Sequence, residues 1–293
     1  MDSQTPTVVI GQDMPPELFV DVSTTLRSMG VVVKADGYIP APHDTKVIVV
    51  MSPKGGSGKT ALASNLAVAL AQRHPGRVAA VDLDVQFGDL PSALSVTPER
   101  TFAELTRSSQ VDVTTVKLHL TPSEYGLFVL AGANDPVDAD SVGHAHVTQV
   151  MPILAQNFDY VIVDTPAGLD ELTLAALECA TDLLLVSSLD VTSIRSLRKV
   201  VDALDHLGAD AQRRLILNRA DSKVGLEPAD AEAVMGMTIA CSIPSSREVP
   251  LSLNLGTPVV VSEPKSAVAR QFQQVASMYA PVTAGPERKR WWK

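Results

Sequence analysis

Lys46-Val47-Ile48-Val49-Val50-Met51-Ser52 leads through Pro53 into Lys54-Gly55-Gly56-Ser57-Gly58-Lys59-Thr60-Ala61, and a helical pattern over Thr60–Gln72 follows. An apolar strand, a glycine-rich turn and a helix, in that order, make a phosphate loop. Phosphate oxygens need several backbone N–H donors converging on one point, and glycine lets the chain curl tightly enough to supply them. The helix directs its positive dipole end at the same place. Lys59 can reach the β- and γ-phosphates of a nucleotide, and the Thr60 hydroxyl can ligate Mg²⁺. Strict spacing of the motif asks for a glycine at position 53, where this chain carries Pro53.

Outward from this loop the pattern repeats. Short apolar runs at Lys46–Ser52, Arg77–Leu83, Leu127–Ala131, Tyr160–Asp164, Leu183–Ser187, Arg214–Asn218 and Met237–Ile243 alternate with helical segments. The latter include His146–Gln156, Ser193–Leu207 and Pro228–Met235. In Ser193–Leu207, Ile194, Leu197, Val201, Leu204 and Leu207 recur at three- and four-residue spacing, with Arg195, Arg198 and Lys199 between them. Such a helix buries one stripe on a sheet and leaves its charged face in water. The alternation predicts an α/β fold: a doubly wound, mostly parallel sheet with helices on both faces.

Two further elements complete a nucleotide site. Val81-Asp82-Leu83-Asp84-Val85-Gln86-Phe87-Gly88-Asp89 closes one strand, and in a strand Asp82 and Asp84 project to the same face. Tyr160-Val161-Ile162-Val163-Asp164-Thr165-Pro166-Ala167-Gly168 is an apolar strand ending in a carboxylate. Carboxyl ends of parallel strands gather beside the phosphate loop. Asp164 is therefore expected to hold Mg²⁺ through a water, with Thr60, Asp82 and Asp84 as the other candidates near the metal. Gly168 is expected to hinge a loop that senses the γ-phosphate.

Lys54, five residues before Lys59, resembles the extra lysine of the deviant Walker A loop in the ParA/MinD superfamily of ATPases. That resemblance implies a P-loop fold, ATP and Mg²⁺ as ligands, and an ATP-dependent homodimer in which Lys54 reaches the partner's phosphates. It also implies that Asp84 positions the attacking water. Asp82 is then expected near the Mg²⁺ shell or on the loop backbone. Asn218-Arg219 resembles the superfamily's adenine-contacting asparagine, and Pro244-Ser245 its base-flanking loop. An asparagine after a strand is equally a turn residue.

Asp82-Leu83-Asp84 with Gln86-Phe87-Gly88-Asp89, Leu217-Asn218-Arg219-Ala220-Asp221-Ser222-Lys223, and Ile243-Pro244-Ser245-Ser246-Arg247-Glu248-Val249-Pro250 resemble the CpaE/TadZ family over roughly residues 46–280. The resemblance implies slow ATP hydrolysis by a protein that positions or assembles Tad- or type IV-type pilus or secretion machinery at the bacterial inner membrane. A MinD-like division-site role, a ParA-like DNA-partition role and a non-catalytic nucleotide-bound scaffold are the alternatives. Many family members carry a full receiver-like domain before the ATPase, which is shorter here.

The chain of 293 residues divides into a βαβ-like extension and linker over 1–45, an ATPase domain over 46–281 and a tail over 282–293. In the extension, Thr7–Ile10 and Val31–Val33 read as strands, Pro16–Met29 as a helix and Ile39-Pro40-Ala41-Pro42 as a linker. The net charge of −9 makes nucleic acid an unexpected partner. The tail Arg288-Lys289-Arg290-Trp291-Trp292-Lys293 has the opposite character, with four cations and both tryptophans of the chain. Those residues suit a lipid interface, and equally a solubilising tail. Two cysteines, Cys179 and Cys241, and no basic-then-apolar leader point to the cytoplasm, with the tail as a peripheral contact to the inner membrane face. His144 and His146 lack the companions a zinc site needs and are expected at the surface or at a helix cap.

Overall fold

The computed structural model describes residues 45–221 and 226–280, together with the backbone of two short strands, β1 (Thr7–Ile10) and β2 (Val32–Ala35). β1 and β2 pair in parallel, with Thr7 opposite Val32. The helix expected at Pro16–Met29, the linker Ile39–Pro42, Ser222-Lys223 and the tail Arg288–Lys293 lie outside the described residues.

The second sheet contains β3 (Lys46–Ser52), β4 (Val78–Asp82), β5 (Thr121–Pro122), β6 (Phe128–Leu130), β7 (Tyr160–Ala167), β8 (Asp182–Ser188), β9 (Gln212–Asn218) and β10 (Ile239–Ile243). Their order is β10-β9-β8-β3-β7-β4-β6-β5, and only the β5–β6 pair is antiparallel. The doubly wound architecture expected from the alternation is the observed one. β3 is central, flanked by β7 and β8. Chain order runs from β3 to β4 on one side and from β7 to β8 on the other, so the strand order reverses beside the phosphate loop. Such a switch point leaves a crevice outside the carboxyl ends of the strands.

Both faces of the sheet are covered. Val47, Val49 and Met51 of β3 enter one core, and Ile48 and Val50 the other. Successive strand side chains point to opposite faces, so a strand buried on both reads as a continuous apolar run. Helices Lys59–Ala71 and Ala267–Ser277 cover one face; His144–Asn157, Glu171–Cys179, Val191–His206 and Pro228–Met235 cover the other. Every residue of Lys59–Ala71 but Thr60 is buried. A helix apolar all round is a core helix, and alanines let the sheet and Ala267–Ser277 approach it from two sides. Asn65 is a buried polar residue of this helix with both ends satisfied: its Nδ2 donates to the Ala61 carbonyl at 2.8 Å and its Oδ1 accepts the Val260 N–H at 3.0 Å.

Local chemistry sets the helix starts. Asp170, Asp190 and Ser266 each accept the N–H three residues on, satisfying one of the open donors of the first turn. The apolar stretch Leu172–Val186 resolves into the helix Glu171–Cys179 and the strand β8. Its two charges are both used: Glu178 meets His144 Nε2 at 3.0 Å, and Asp182 meets Arg214. Among the described residues no helix is long and apolar enough to cross a membrane.

Two strands of the second sheet depart most from the sequence reading. β7 continues past Asp164 to Ala167, because pairing resumes after an irregularity, with Ser52 opposite Ala167 and the Gly168 N–H donating to the Ser52 carbonyl at 2.9 Å. Asp164 thus lies inside a strand and not at its end. β5 was hidden by its brevity: two residues, one of them Pro122, are tolerated only at a sheet edge.

Candidate nucleotide site

The chain leaves β3 at Ser52 and enters the helix at Lys59, with left-handed backbone at Gly56 (φ +71°) and Gly58 (φ +96°). At Gly58 a side chain is excluded twice. Its φ disfavours any L side chain, and an added Cβ would lie 2.3 Å from Asn218 Nδ2. Asn218, at the end of β9, donates that Nδ2 to the Ser57 carbonyl at 2.7 Å, while its Oδ1 accepts the Arg219 N–H at 3.0 Å. The asparagine thereby ties the phosphate loop to a strand two places away in the sheet. Arg219 follows in the left-handed region (φ +52°), exposed to solvent. The neighbouring Ser245 N–H donates to Asp221 at 2.7 Å, with Pro244 half-buried beside it. Gly58→Ala is expected to break the Asn218 contact and weaken nucleotide affinity at least tenfold without unfolding the chain; fluorescent-nucleotide titration checks it. Wild-type affinity would show that the loop tolerates the displacement.

Asp164 is buried on β7, between β3 and β4. Its Oδ2 accepts the Thr60 hydroxyl at 2.6 Å, while its Oδ1 and the Ser57 hydroxyl are buried with no hydrogen-bond partner among the described residues. Buried polar atoms are normally paired, so the open oxygen of Asp164, beside the Thr60 hydroxyl, marks a place for a ligand. Oxygen donors of this kind fit Mg²⁺. Burial pushes the Asp164 carboxyl up to about 7, against the Thr60 hydrogen bond and the Lys59 ammonium, which favour the anion.

Asp82 stands opposite Asp164 in the β4–β7 register. It is buried, and its carboxyl is held well above the usual range by that burial and by Asp164. Its oxygens face the following loop: Oδ1 accepts the Asp84 N–H and Oδ2 the Leu90 N–H, each at 3.1 Å. Asp84, half-buried, lies on that loop. Burial raises its carboxyl, and the Lys59 ammonium opposes the shift.

Lys54 is directed elsewhere. Its ammonium donates to the Thr192 hydroxyl at 2.7 Å, and that hydroxyl donates to Asp190 at 2.7 Å. Thr192 and Asp190 were not singled out from sequence, although the Asp-x-x-Ser cap of Asp190–Ser193 was the available signal. Gly168 has φ +98° and open space around its α-carbon, compatible with a turning point after β7. His146 Nδ1 accepts the Gly143 N–H at 3.1 Å, a helix-cap role. No His/Cys/Asp/Glu cluster of zinc type occurs among the described residues.

Strand, phosphate loop, buried helix and two carboxylate strands in this order define a P-loop ATPase. Residues 45–217 match the AAA domain family AAA_31, more than half of the chain, and the chain belongs to that family. A septum site-determining protein MinD from Thermotoga maritima is 27% identical over 244 residues, covering 78% of this chain and 86% of that protein. Among solved structures, MinD from Pyrococcus horikoshii in complex with Mg-ADP superposes with TM-score 0.73 at 25% identity, over 81% of this chain and 96% of that one. A ParA family ATPase from Chlorobium tepidum gives TM-score 0.75 at 26% identity, over 80% and 98%. These likenesses place the chain in the ParA/MinD superfamily; none of them singles out CpaE/TadZ.

Proposed function

We propose that this chain is an ATP-driven positioning switch of the MinD/ParA kind, which binds ATP with Mg²⁺, dimerises around it and hydrolyses it slowly. The observation that carries this reading is the meeting of the phosphate loop, the Thr60–Asp164 pair and Asp84 at one end of β3, β4 and β7. Gly55, Gly56, Ser57 and Gly58 would wrap the phosphates with their N–H groups, Lys59 would neutralise them, and Thr60, Ala61 and the helix start would complete the cradle. Thr60 and Asp164 would hold the Mg²⁺, which when bound offsets phosphate charge. Asp84 would orient the attacking water. Lys54 rests on Thr192 of its own chain, free to swing to the phosphates of a second copy and neutralise charge developing in transfer.

MinD names in the relatives favour septum-site or comparable placement as the task. Pilus or secretion assembly rests on the CpaE/TadZ-like motifs, and lipid contact on the Arg288–Lys293 tail. The test is native mass with ATP, ADP and Mg²⁺, alongside phosphate release. A doubled mass with ATP only, and release that falls to background in Lys54→Ala, is the expected result. Equal release from wild type and Lys54→Ala would leave a scaffold, and saturable duplex-DNA binding near physiological salt would shift the task to partition.

A further inference from the structure

We infer that Asp82 is a positioning residue: its buried carboxylate holds both ends of the loop that carries Asp84, and Gly88 is the opening that lets the loop close over it. This deepens the ATPase reading above and rests on it for its kinetic arm. Three observations meet here. Asp82 Oδ1 accepts the Asp84 N–H and Oδ2 the Leu90 N–H, so one side chain spans the start and the end of a seven-residue turn. The loop passes so close over the carboxylate that a Cβ on Gly88 would lie 2.2 Å from Oδ1 and 2.3 Å from Oδ2. The exposed side of the loop carries Phe87, 75% accessible, so no packing by the described residues on that side replaces the clamp.

Chemistry separates this role from metal binding. Each Asp82 oxygen already accepts a backbone N–H, whereas Asp164 keeps one oxygen with no partner among the described residues. Two backbone N–H donors meeting one side chain on a rigid strand end fix where Asp84 stands. A displacement of a water-orienting group by about an ångström costs on the order of a hundredfold in rate. Gly88 carries no left-handed φ, so space and not backbone strain is what forbids a side chain there.

Asp82→Asn keeps the shape and leaves one acceptor for two N–H donors. Its kcat for ATP is expected to fall tenfold or more, with KM for ATP and the Mg²⁺ dependence within about twofold of wild type, the signature of a lost transition-state interaction. Hydrogen exchange of the 84–90 backbone should accelerate by a similar factor, without a comparable change in the β-strands. Gly88→Ala should do the same, and its effect should shrink when combined with Asp82→Ala, because the clash partner is gone. Unchanged kcat and loop exchange in Asp82→Asn would overturn the proposal. A raised Mg²⁺ requirement with unchanged loop exchange would also overturn it, in favour of a metal role. If the wild type releases no phosphate, the ATPase reading fails alone, and the exchange measurement still decides the clamp.

Discussion

Asp84→Ala is expected to reduce ATP turnover by about 10²–10⁴-fold while leaving ATP binding within a few-fold and dimer formation intact. The separation follows from where the residue stands. On the proposed reading nucleotide affinity comes from the phosphate loop, Lys59 and the Thr60–Asp164 pair, which is formed without Asp84. Asp84 is half-buried on a loop beside that cradle, within the field of Lys59, and its backbone accepts the Phe87 N–H at 3.2 Å. Truncating it removes the carboxylate proposed to orient the water and leaves the loop's own turn in place. Single-turnover phosphate release and native mass, measured on the same samples with ATP and Mg²⁺, check the prediction. The variant should stay dimeric with ATP trapped. A variant that no longer dimerises would place Asp84 in the interface or in the folding of the loop, against the role given to it here.

What could be read from the sequence follows the strength of local chemistry. The strand–glycine–helix succession at 46–72 was unmistakable because each residue type in it answers one physical demand, and β3 begins and ends where the apolar run does. The helix Pro228–Met235 was likewise bounded by its own proline and by Gly236, which adopts φ +66° at the C-terminus. Long-range contacts were not legible. That Asn218 would tie down Ser57 depends on β9 lying two strands from β3, and nothing local to either residue encodes it. The same holds for Lys54 on Thr192, 138 positions away. Asp82 was narrowed to two places by the ParA/MinD resemblance, and only the path of the next eight residues shows its oxygens on the loop backbone. The division between extension, ATPase and tail was a matter of composition, and the cargo lies outside what residue spacing encodes.

Arg214→Ala is expected to cost about 3–5 kcal/mol of stability, the typical penalty for removing one partner of a buried ion pair. Asp182 is 1% accessible at the start of β8, and Arg214 on the adjacent strand β9 is its direct partner, with the Arg side chain 17% accessible. The same guanidinium donates to Tyr279 Oη at 3.3 Å and lies 5.0 Å from that ring's centre, so it also fastens the end of the last described helix to the sheet. Without it Asp182 keeps the Thr181 hydroxyl at 2.9 Å and Lys46 at 3.7 Å. The lysine is 41% accessible and spends much of its charge on water, so it cannot replace a buried guanidinium. At about 2–4 °C per kcal/mol for a domain of this size, the melting temperature should fall by about 6–20 °C. Arg77→Ala removes the exposed pair with Asp159 and is the control, expected to change stability by less than about 1 kcal/mol. Replacing both partners, as Asp182→Leu with Arg214→Met, should recover most of the loss, because no charge is then left buried alone. A single Arg214→Ala variant as stable as wild type would mean that water or Lys46 reaches Asp182, and that the apparent burial of this carboxylate does not persist in solution.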